Sequence, residues 1–243
     1  EFIGTDALAG IGVTSSIIIL ISAFSQIVGG GGAPLASIAL GKGDRERAHR
    51  ILGNGFSLLV LFTVVTSGIT YIFMEPLLRL IGASDATIGY ATDYLSVYLT
   101  GTLFVMFATG LNSFINAQGF GKTGMFTVVI GAVLNIILDP IFIYIMGVQG
   151  AALATVLSQL AASVWTFKFL TGKNTIIKIK LSAMRCQAKR VKKILVLGLS
   201  GFTMSVTNSA VQIACNVSLQ NYGSDVYVCL LYTSPSPRDG ATS

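Results

Sequence analysis

The sequence is poor in charged residues. Asp, Glu, Lys and Arg make up 11% of its 243 residues, against about 25% in an ordinary soluble domain. Hydrophobic residues make up 53% and the mean hydropathy is +0.76, which excludes a soluble globular protein. Apolar runs of about 20 residues recur along the chain, as in membrane-spanning helices and unlike the shorter alternating segments of an outer-membrane barrel. The sequence therefore predicts an all-α integral membrane protein, built as a helical bundle.

Residues that carry catalytic or metal chemistry are also scarce. The chain has one histidine and three cysteines, and Cys186, Cys215 and Cys229 show no metal-ligand or redox spacing. His49 lies beside arginines, so we expect it on the surface of a cytoplasmic loop. An intramembrane aspartyl protease would need two neighbouring carboxylates that share a proton, and no second buried acid is available. We therefore expect a protein that is not an enzyme and uses no cofactor.

Six apolar segments are long enough to cross a bilayer. Their predicted bounds are 12–40, 51–74, 89–115, 125–146, 150–170 and 194–216. The first segment is too long for a single straight span, and it contains the run GGGGAP at 29–34. This run predicts either a helix that is broken or bent near its inner end, or a face of small residues for close helix packing.

The cations fall in alternate connections between these spans. Three basic segments, 42–50, Lys122 and 168–193, lie on one side of a six-span topology, and the other side carries only Arg79. By the positive-inside rule the basic side is the cytoplasm. The net charge of +6 then reflects topology, and no aromatic-interleaved basic patch points to a nucleic-acid partner. The segment 168–193 is expected either along the anionic inner leaflet or as a solvated linker.

One acid lies inside an apolar span. Asp139 is the only acidic residue between Asp93 and Asp225, in the run VVIGAVLNIILDPIFIYIMG. A carboxylate at membrane depth costs about 2.5–3.5 kcal/mol to insert, so such residues usually face a cavity or a polar partner on an ion or substrate pathway. Asn135 lies four residues earlier on the same helical face, and Pro140 removes a backbone donor. The sequence predicts a polar, kinked centre in this helix; the alternative is that both side chains only hydrogen-bond to neighbouring helices.

Both chain ends differ from those expected of a native protein. The first span begins almost at residue 1, without an initiator methionine or signal segment, so we expect a truncated start. The segment 229–243, CLLYTSPSPRDGATS, can be back-translated to a string that resembles a transposase adapter for sequencing libraries. We expect this segment to be read-through and not native; the alternative is a genuine polar tail rich in Pro and Ser.

Several long segments carry a family resemblance over about residues 2–228. They are FIGTDALAGIG at 2–12, GGGGAPLASIALGKGDRERAHRILGN at 29–54, PLLRLIGAS at 76–84, LNSFINAQG at 111–119, and LNIILDPIFI followed by GVQGAALATVLSQ. In this order they resemble the multidrug and toxic compound extrusion (MATE) family. The resemblance implies a twelve-helix antiporter of two six-helix lobes around a central cavity, multi-pass in the plasma membrane and monomeric, which exports organic cations, drugs or amphiphilic metabolites in exchange for Na⁺ or H⁺.

The same resemblance divides the chain. Residues 1–170 would supply the second to sixth helices of the N-terminal lobe, 171–193 the basic cytoplasmic loop between lobes, and 194–228 the seventh helix, which starts the C-terminal lobe. The family's first helix, with an acidic residue of the cation site, would be missing.

The resemblance also implies a cation-coupling site. It places Asn135 and Asp139 in that site, and Thr155 matches a threonine of the next helix. A carboxylate, an amide oxygen and a hydroxyl are hard oxygen ligands that suit Na⁺. The same carboxylate could instead take up a proton, because burial disfavours its charged form.

Other polar residues lie at helical spacing within the spans. The candidates for a substrate cavity are Asn112, Asn116, Gln159, Asn208 and Gln212. Hydrogen bonds between helices explain these residues equally well, at about 0.6 kcal/mol per bond in membranes.

Two other functions stay open at the level of sequence. A lipid-linked saccharide flippase of a related superfamily would line its cavity with cations that meet a pyrophosphate, and these spans carry almost none. The second alternative is a gene fragment that performs no transport, because alternating access in repeat-built transporters needs both lobes around a shared site.

The topology can be tested by cysteine accessibility. On a background without the native cysteines, Arg45→Cys and Arg185→Cys should react only from the cytoplasmic side and Asp85→Cys only from outside, because the basic segments remain inside. The measurement is labelling by a membrane-impermeant maleimide in intact cells and in inverted vesicles. External labelling at position 185 would mean that the span count is wrong by one.

Overall fold

The described residues form an all-helical bundle. The computed structural model describes residues 4–179 and 187–222; the predicted tail at 229–243 lies outside them. The helices are α1 Thr5–Gly41, α2 Arg45–Ile72, α3 Met74–Leu80, α4 Ile88–Ala117, α5 Gly121–Met146, α6 Val148–Thr171 and α7 Ala188–Tyr222. All except α3 are long and apolar enough to span a membrane, which confirms the six predicted spans.

Local sequence explains several of the helix boundaries. The Asp44 carboxylate accepts a hydrogen bond from the Arg47 backbone N–H at 2.9 Å and caps α2. Gly147 alone separates α5 from α6, with φ of 61° that only glycine adopts readily. The helix α7 begins before the predicted start at 194, because its first residues, AKRVKK, are mostly good helix formers.

The glycine run does not break α1. The helix is continuous from Thr5 to Gly41 and includes Pro34, so the expected break is wrong. A Cβ on Gly31 would collide with the backbone carbonyl of Ile194, and one on Gly198 would collide with that of Ile27. The glycines therefore let the backbones of α1 and α7 touch, which is the close-packing alternative.

The core lies around α4. This helix packs against α1, α2, α5 and α6, and its side chains at Leu95, Met106, Leu111 and Phe114 are fully buried. The helix α5 lies at the periphery, with only Gly124, Thr127 and Gly131 buried. These three positions share one face, since they are spaced by three and four residues, and that face continues to Asn135 and Asp139.

The described parts of the basic segments meet at one end of the bundle, as predicted from the charge distribution: Lys178 contacts His49, Arg190 lies near Arg47 and Arg50, and Thr175 bonds to Gln118, four residues before Lys122. His49 is not in a loop: it lies in α2, half-buried, and its Nδ1 contacts the backbone of Lys178. Ile177 is fully buried in the main hydrophobic cluster. The solvated-linker expectation is therefore wrong for this part of 168–193, because Ile177 faces the bundle; residues 180–186 lie outside the described part of the chain.

The contact between α1 and α7 predicts a difference between two adjacent glycines. Gly31→Ala should lower the thermal midpoint of the purified protein in detergent, because overpacking a well-packed contact costs about 1–3 kcal/mol. Gly30→Ala is the matched control, since a Cβ there meets nothing within 4 Å, and a helical glycine replaced by alanine gains about 0.8–1.0 kcal/mol. Equal midpoints for the two variants would contradict the close contact.

Candidate functional site

The polar face of α5 brings Asn135 and Asp139 to α6. The helix continues through Pro140 without a break, and both side chains are half-buried. The small residues Gly124, Thr127 and Gly131 precede them on this face, so α5 approaches its neighbours closely. Many of the large apolar residues of α5, such as Val133, Ile136 and Ile137, are exposed.

Asn135 joins the three residues proposed from sequence. Its Nδ2 donates to Asp139 Oδ1 at 3.1 Å and to Thr155 Oγ1 at 3.5 Å. The Thr155 hydroxyl donates to the Ala151 carbonyl of its own helix at 3.1 Å. The structure thus places a carboxylate, a carboxamide and a hydroxyl from two helices within one small cluster.

A tyrosine of α4 extends this cluster, and the sequence reasoning missed it. Tyr94 is buried, at 8% exposure, and its hydroxyl lies within hydrogen-bonding reach of Thr155 and close to Asp139. Its ring stacks on Tyr98, with centroids 6.3 Å apart and planes at 16°, and the Tyr98 hydroxyl reaches Ser22 of α1. Two tyrosines four residues apart in an apolar span are the signal that could have identified this face.

A cavity of about 270 Å³ adjoins the cluster. It lies between α4, α5 and α6, and its wall includes Asn135, Thr155 and the candidate Gln159. The rest of the wall is small or weakly polar: Ala108, Thr109, Thr127, Val128, Gly131, Ala132, Ser158 and Ala162. None of these wall residues carries a charge. The charged group nearest in the cluster is the Asp139 carboxylate, which is hydrogen-bonded to Asn135 of the wall.

Two of the predicted cavity residues lie on another contact. Asn112 Nδ2 donates to the Gly124 carbonyl at 3.2 Å, and the Asn116 carboxamide lies where a Cβ on Gly124 would be. Neither belongs to the cavity wall. Both side chains pack α4 against α5, in agreement with the helix-packing alternative.

The candidates on α7 are also away from the cavity. Asn208 is exposed and Gln212 is half-buried. Two other polar residues of α7 bond to α1: the Ser209 hydroxyl donates to the Ser16 carbonyl at 2.8 Å, and Asn216 Nδ2 lies 3.4 Å from Ser16 Oγ. Ser209 and Asn216 therefore contribute to the packing of α7 on α1.

The cluster can serve two kinds of ion chemistry. Carboxylate, carboxamide and hydroxyl oxygens are the hard ligands that Na⁺ prefers, and the Asn135 carboxamide can present its oxygen once it rotates. A carboxylate in the same place can bind a proton instead. Either ion would neutralise the only acid that lies deep within a described span.

Comparison with known proteins gives consistent matches. The MatE family model matches residues 1–141. The chain is 27% identical over 218 residues to the multidrug export protein MepA of Staphylococcus haemolyticus, covering 89% of this chain and 48% of the relative. It is 30% identical over 167 residues to an FAD transporter of Shewanella oneidensis, covering 66% and 37%. The chain thus spans about half the length of the curated relatives it matches.

Solved structures show the same fold. An inward-facing conformation of a multidrug resistance MATE family transporter of the MOP superfamily matches with a TM-score of 0.89 and 27% identity, over 94% of this chain and 52% of the other. The MATE multidrug transporter DinF-BH, solved in complex with a ligand, matches with a TM-score of 0.88 and 33% identity, over 96% and 52%. With six apolar spans and a family match over more than half its length, this chain is a multi-pass plasma-membrane protein that belongs to the MATE family.

Proposed function

We propose that this chain provides most of the first lobe, and the first helix of the second lobe, of a secondary antiporter. The antiporter exports organic cations or other amphiphilic small molecules in exchange for Na⁺ or H⁺. The observation that carries the proposal is that Asn135 links Asp139 to Thr155 at 3.1 and 3.5 Å, beside a cavity whose wall includes Asn135 and Thr155.

Two residues that belong both to the Asp139 cluster and to the cavity wall can couple ion binding to substrate binding. Asn135 and Thr155 belong both to the carboxylate cluster and to the cavity wall. An ion at Asp139 would draw the Asn135 oxygen and the Thr155 hydroxyl toward itself, which changes the polar groups that a substrate meets. A ligand shifts a conformational equilibrium only through such differences in affinity between states. Ion and substrate would then bind with mutually dependent affinities.

The cavity wall favours neutral or cationic substrates. It carries no lysine or arginine, so nothing on it would stabilise the pyrophosphate of a lipid-linked saccharide. The names of similar proteins also favour a small-molecule substrate: MepA is named a multidrug export protein, and DinF-BH is named a multidrug transporter and was solved with a ligand. The flippase alternative is therefore not favoured.

Asp139→Asn tests the assignment in a full-length transporter that contains this chain. Ion-driven efflux of ethidium should be abolished while membrane insertion stays intact, because the amide binds neither Na⁺ nor a proton as the carboxylate does. The measurement is dye efflux from cells, with membrane insertion checked by immunoblot. Asp93→Asn is the matched control, since Asp93 is exposed near the start of α4. Normal ion-driven efflux by Asp139→Asn would overturn the proposal.

Proteoliposomes identify the coupling ion. A Na⁺ gradient at constant pH should drive efflux if Asp139, Asn135 and Thr155 form a Na⁺ site, and Thr155→Val should then raise the Na⁺ concentration for half-maximal rate because one oxygen ligand is lost. A pH gradient without Na⁺ should drive efflux if the carboxylate binds a proton, and Thr155→Val should then leave the pH dependence in place.

A further inference from the structure

The chain between α6 and α7 is bound to the end of the bundle by side chains. Residues 173–179, called the strap below, form no helix or strand, so their backbone groups depend on partners elsewhere. Three such partners bind the backbone of the strap: Gln118, His49 and the Leu170 carbonyl. The side chain of Ile177 is held separately, in an apolar socket.

Gln118 is the main partner. Its Oε1 lies 2.9 Å from the backbone nitrogens of both Ile176 and Ile177, which donate to it, and 2.8 Å from the Thr175 hydroxyl. That hydroxyl also lies 2.9 Å from the Ile177 carbonyl, and its single proton can serve only one of the two acceptors. Two backbone donors on one atom identify that atom as the amide oxygen. The amide nitrogen of Gln118 donates to the Phe114 carbonyl at 3.0 Å, which holds the oxygen toward the strap.

His49 binds the next residue of the strap. Its Nδ1 accepts the backbone N–H of Lys178 at 2.9 Å. The carbonyl oxygen of the same residue lies 3.2 Å from Nδ1, so the tautomer of the ring decides which of the two backbone groups of Lys178 it pairs with. The following N–H, of Ile179, donates to the Leu170 carbonyl at 3.2 Å, near the end of α6.

The side chains of the strap alternate between socket and solvent. Ile177 is 0% exposed and belongs to the main hydrophobic cluster, which also includes Leu52, Leu170 and Ile194. Ile176, one residue earlier, is 39% exposed. A segment that only crossed the end of the bundle would not bury one of two adjacent isoleucines completely.

A further contact fixes the start of α7. Asn54 of α2 is fully buried, and its Oδ1 accepts the backbone N–H of Gln187 at 2.9 Å. Its Nδ2 donates to the Arg50 carbonyl at 2.7 Å, so the amide is oriented from both sides. Beyond this point Gly198 brings α7 against α1. The first-lobe residues therefore hold the chain both before and at the start of α7.

We infer that Gln118, His49 and the Ile177 socket form a receptor on the first lobe for the strap, and that the docked strap is a positioning element that holds the inner end of α7 on this lobe during transport. The role of the strap in holding α7 during transport rests on the proposed antiport function. Gln118 acts through the strap and α7, and it contacts neither the Asp139 cluster nor the cavity wall.

Hydrogen exchange of the protein in nanodiscs tests docking without any transport assay. In peptides that cover the strap, the amides of Ile176 and Ile177 should exchange at least about tenfold faster in Gln118→Leu than in the wild type, because their shared acceptor is lost. Gln118→Glu should keep the slow exchange, since it retains an oxygen acceptor. Fast exchange of these amides in the wild type, or equal exchange rates in Gln118→Leu and the wild type, would show that Gln118 does not hold the strap.

Alanine variants at two adjacent isoleucines test whether faster exchange in Gln118→Leu comes from a released strap or from a general folding defect. Ile177→Ala should speed exchange of the strap amides, because it empties the socket, and Ile176→Ala should leave exchange unchanged. The exchange of peptides in α4 and α6 should stay the same in all four variants. Equal effects of the two alanine variants would mean that no socket holds the strap.

Transport measurements separate positioning from ion binding. In the full-length antiporter, Gln118→Leu should lower the maximal rate of ion-driven dye efflux several-fold and leave the half-saturating ion concentration unchanged, and Gln118→Glu should restore the rate. An unchanged rate in Gln118→Leu with a released strap would overturn the positioning role. A wild-type protein with slow strap exchange and no ion-driven efflux would refute the proposed antiport function and leave the receptor standing.

Discussion

The close approach of α1 to its neighbours is the constraint on which the rest of the bundle depends. Lipid tails are as apolar as leucine, so helices in a bilayer gain little from the hydrophobic effect and associate through van der Waals packing and hydrogen bonds. Gly31 and Gly198 allow the backbones of α1 and α7 to touch, and Gly29 lies close to Ser113 of α4. Because α2, α4 and α7 all pack on α1, the position of each depends on this helix.

Several polar groups within these helices pair with groups on a neighbouring helix. A polar group exposed to hydrocarbon costs several kcal/mol. The Ser209 hydroxyl donates to the Ser16 carbonyl, the Thr109 hydroxyl lies 2.9 Å from Ser25 Oγ, and Asn135 lies between Asp139 and Thr155. Each of these polar contacts joins two helices; the carboxyl group of Asp139 and the adjacent cavity distinguish the third from the other two.

The Asp139 cluster and the residues that contact the strap share two helices. On α4, Tyr94 reaches Thr155 near one end and Gln118 binds the strap at the other. On α6, Thr155 lies in the cluster and the Leu170 carbonyl accepts the Ile179 N–H. Each helix is continuous between these points. If either helix moved as a rigid element, its residues in the Asp139 cluster and its residues at the strap would move together.

The sequence by itself determined the number of spans, the grouping of the basic segments at one end, and the shared face of Asn135 and Asp139. These features follow from local quantities, namely hydropathy over about 20 residues and the i, i+4 geometry of a helix. The role of Asp139 in ion coupling is a proposal, since composition and spacing do not show ion binding.

Only the tertiary structure decided the state of the glycine run, the surroundings of His49, the burial of Ile177 and the place of Tyr94. GGGGAP is compatible with a break or with close packing, and the presence of α7 against Gly31 decides between them. His49 and Lys178 are 129 residues apart in the chain and share a hydrogen bond. Such pairs leave no local pattern, because the second partner is supplied by the folded bundle and not by neighbours in sequence.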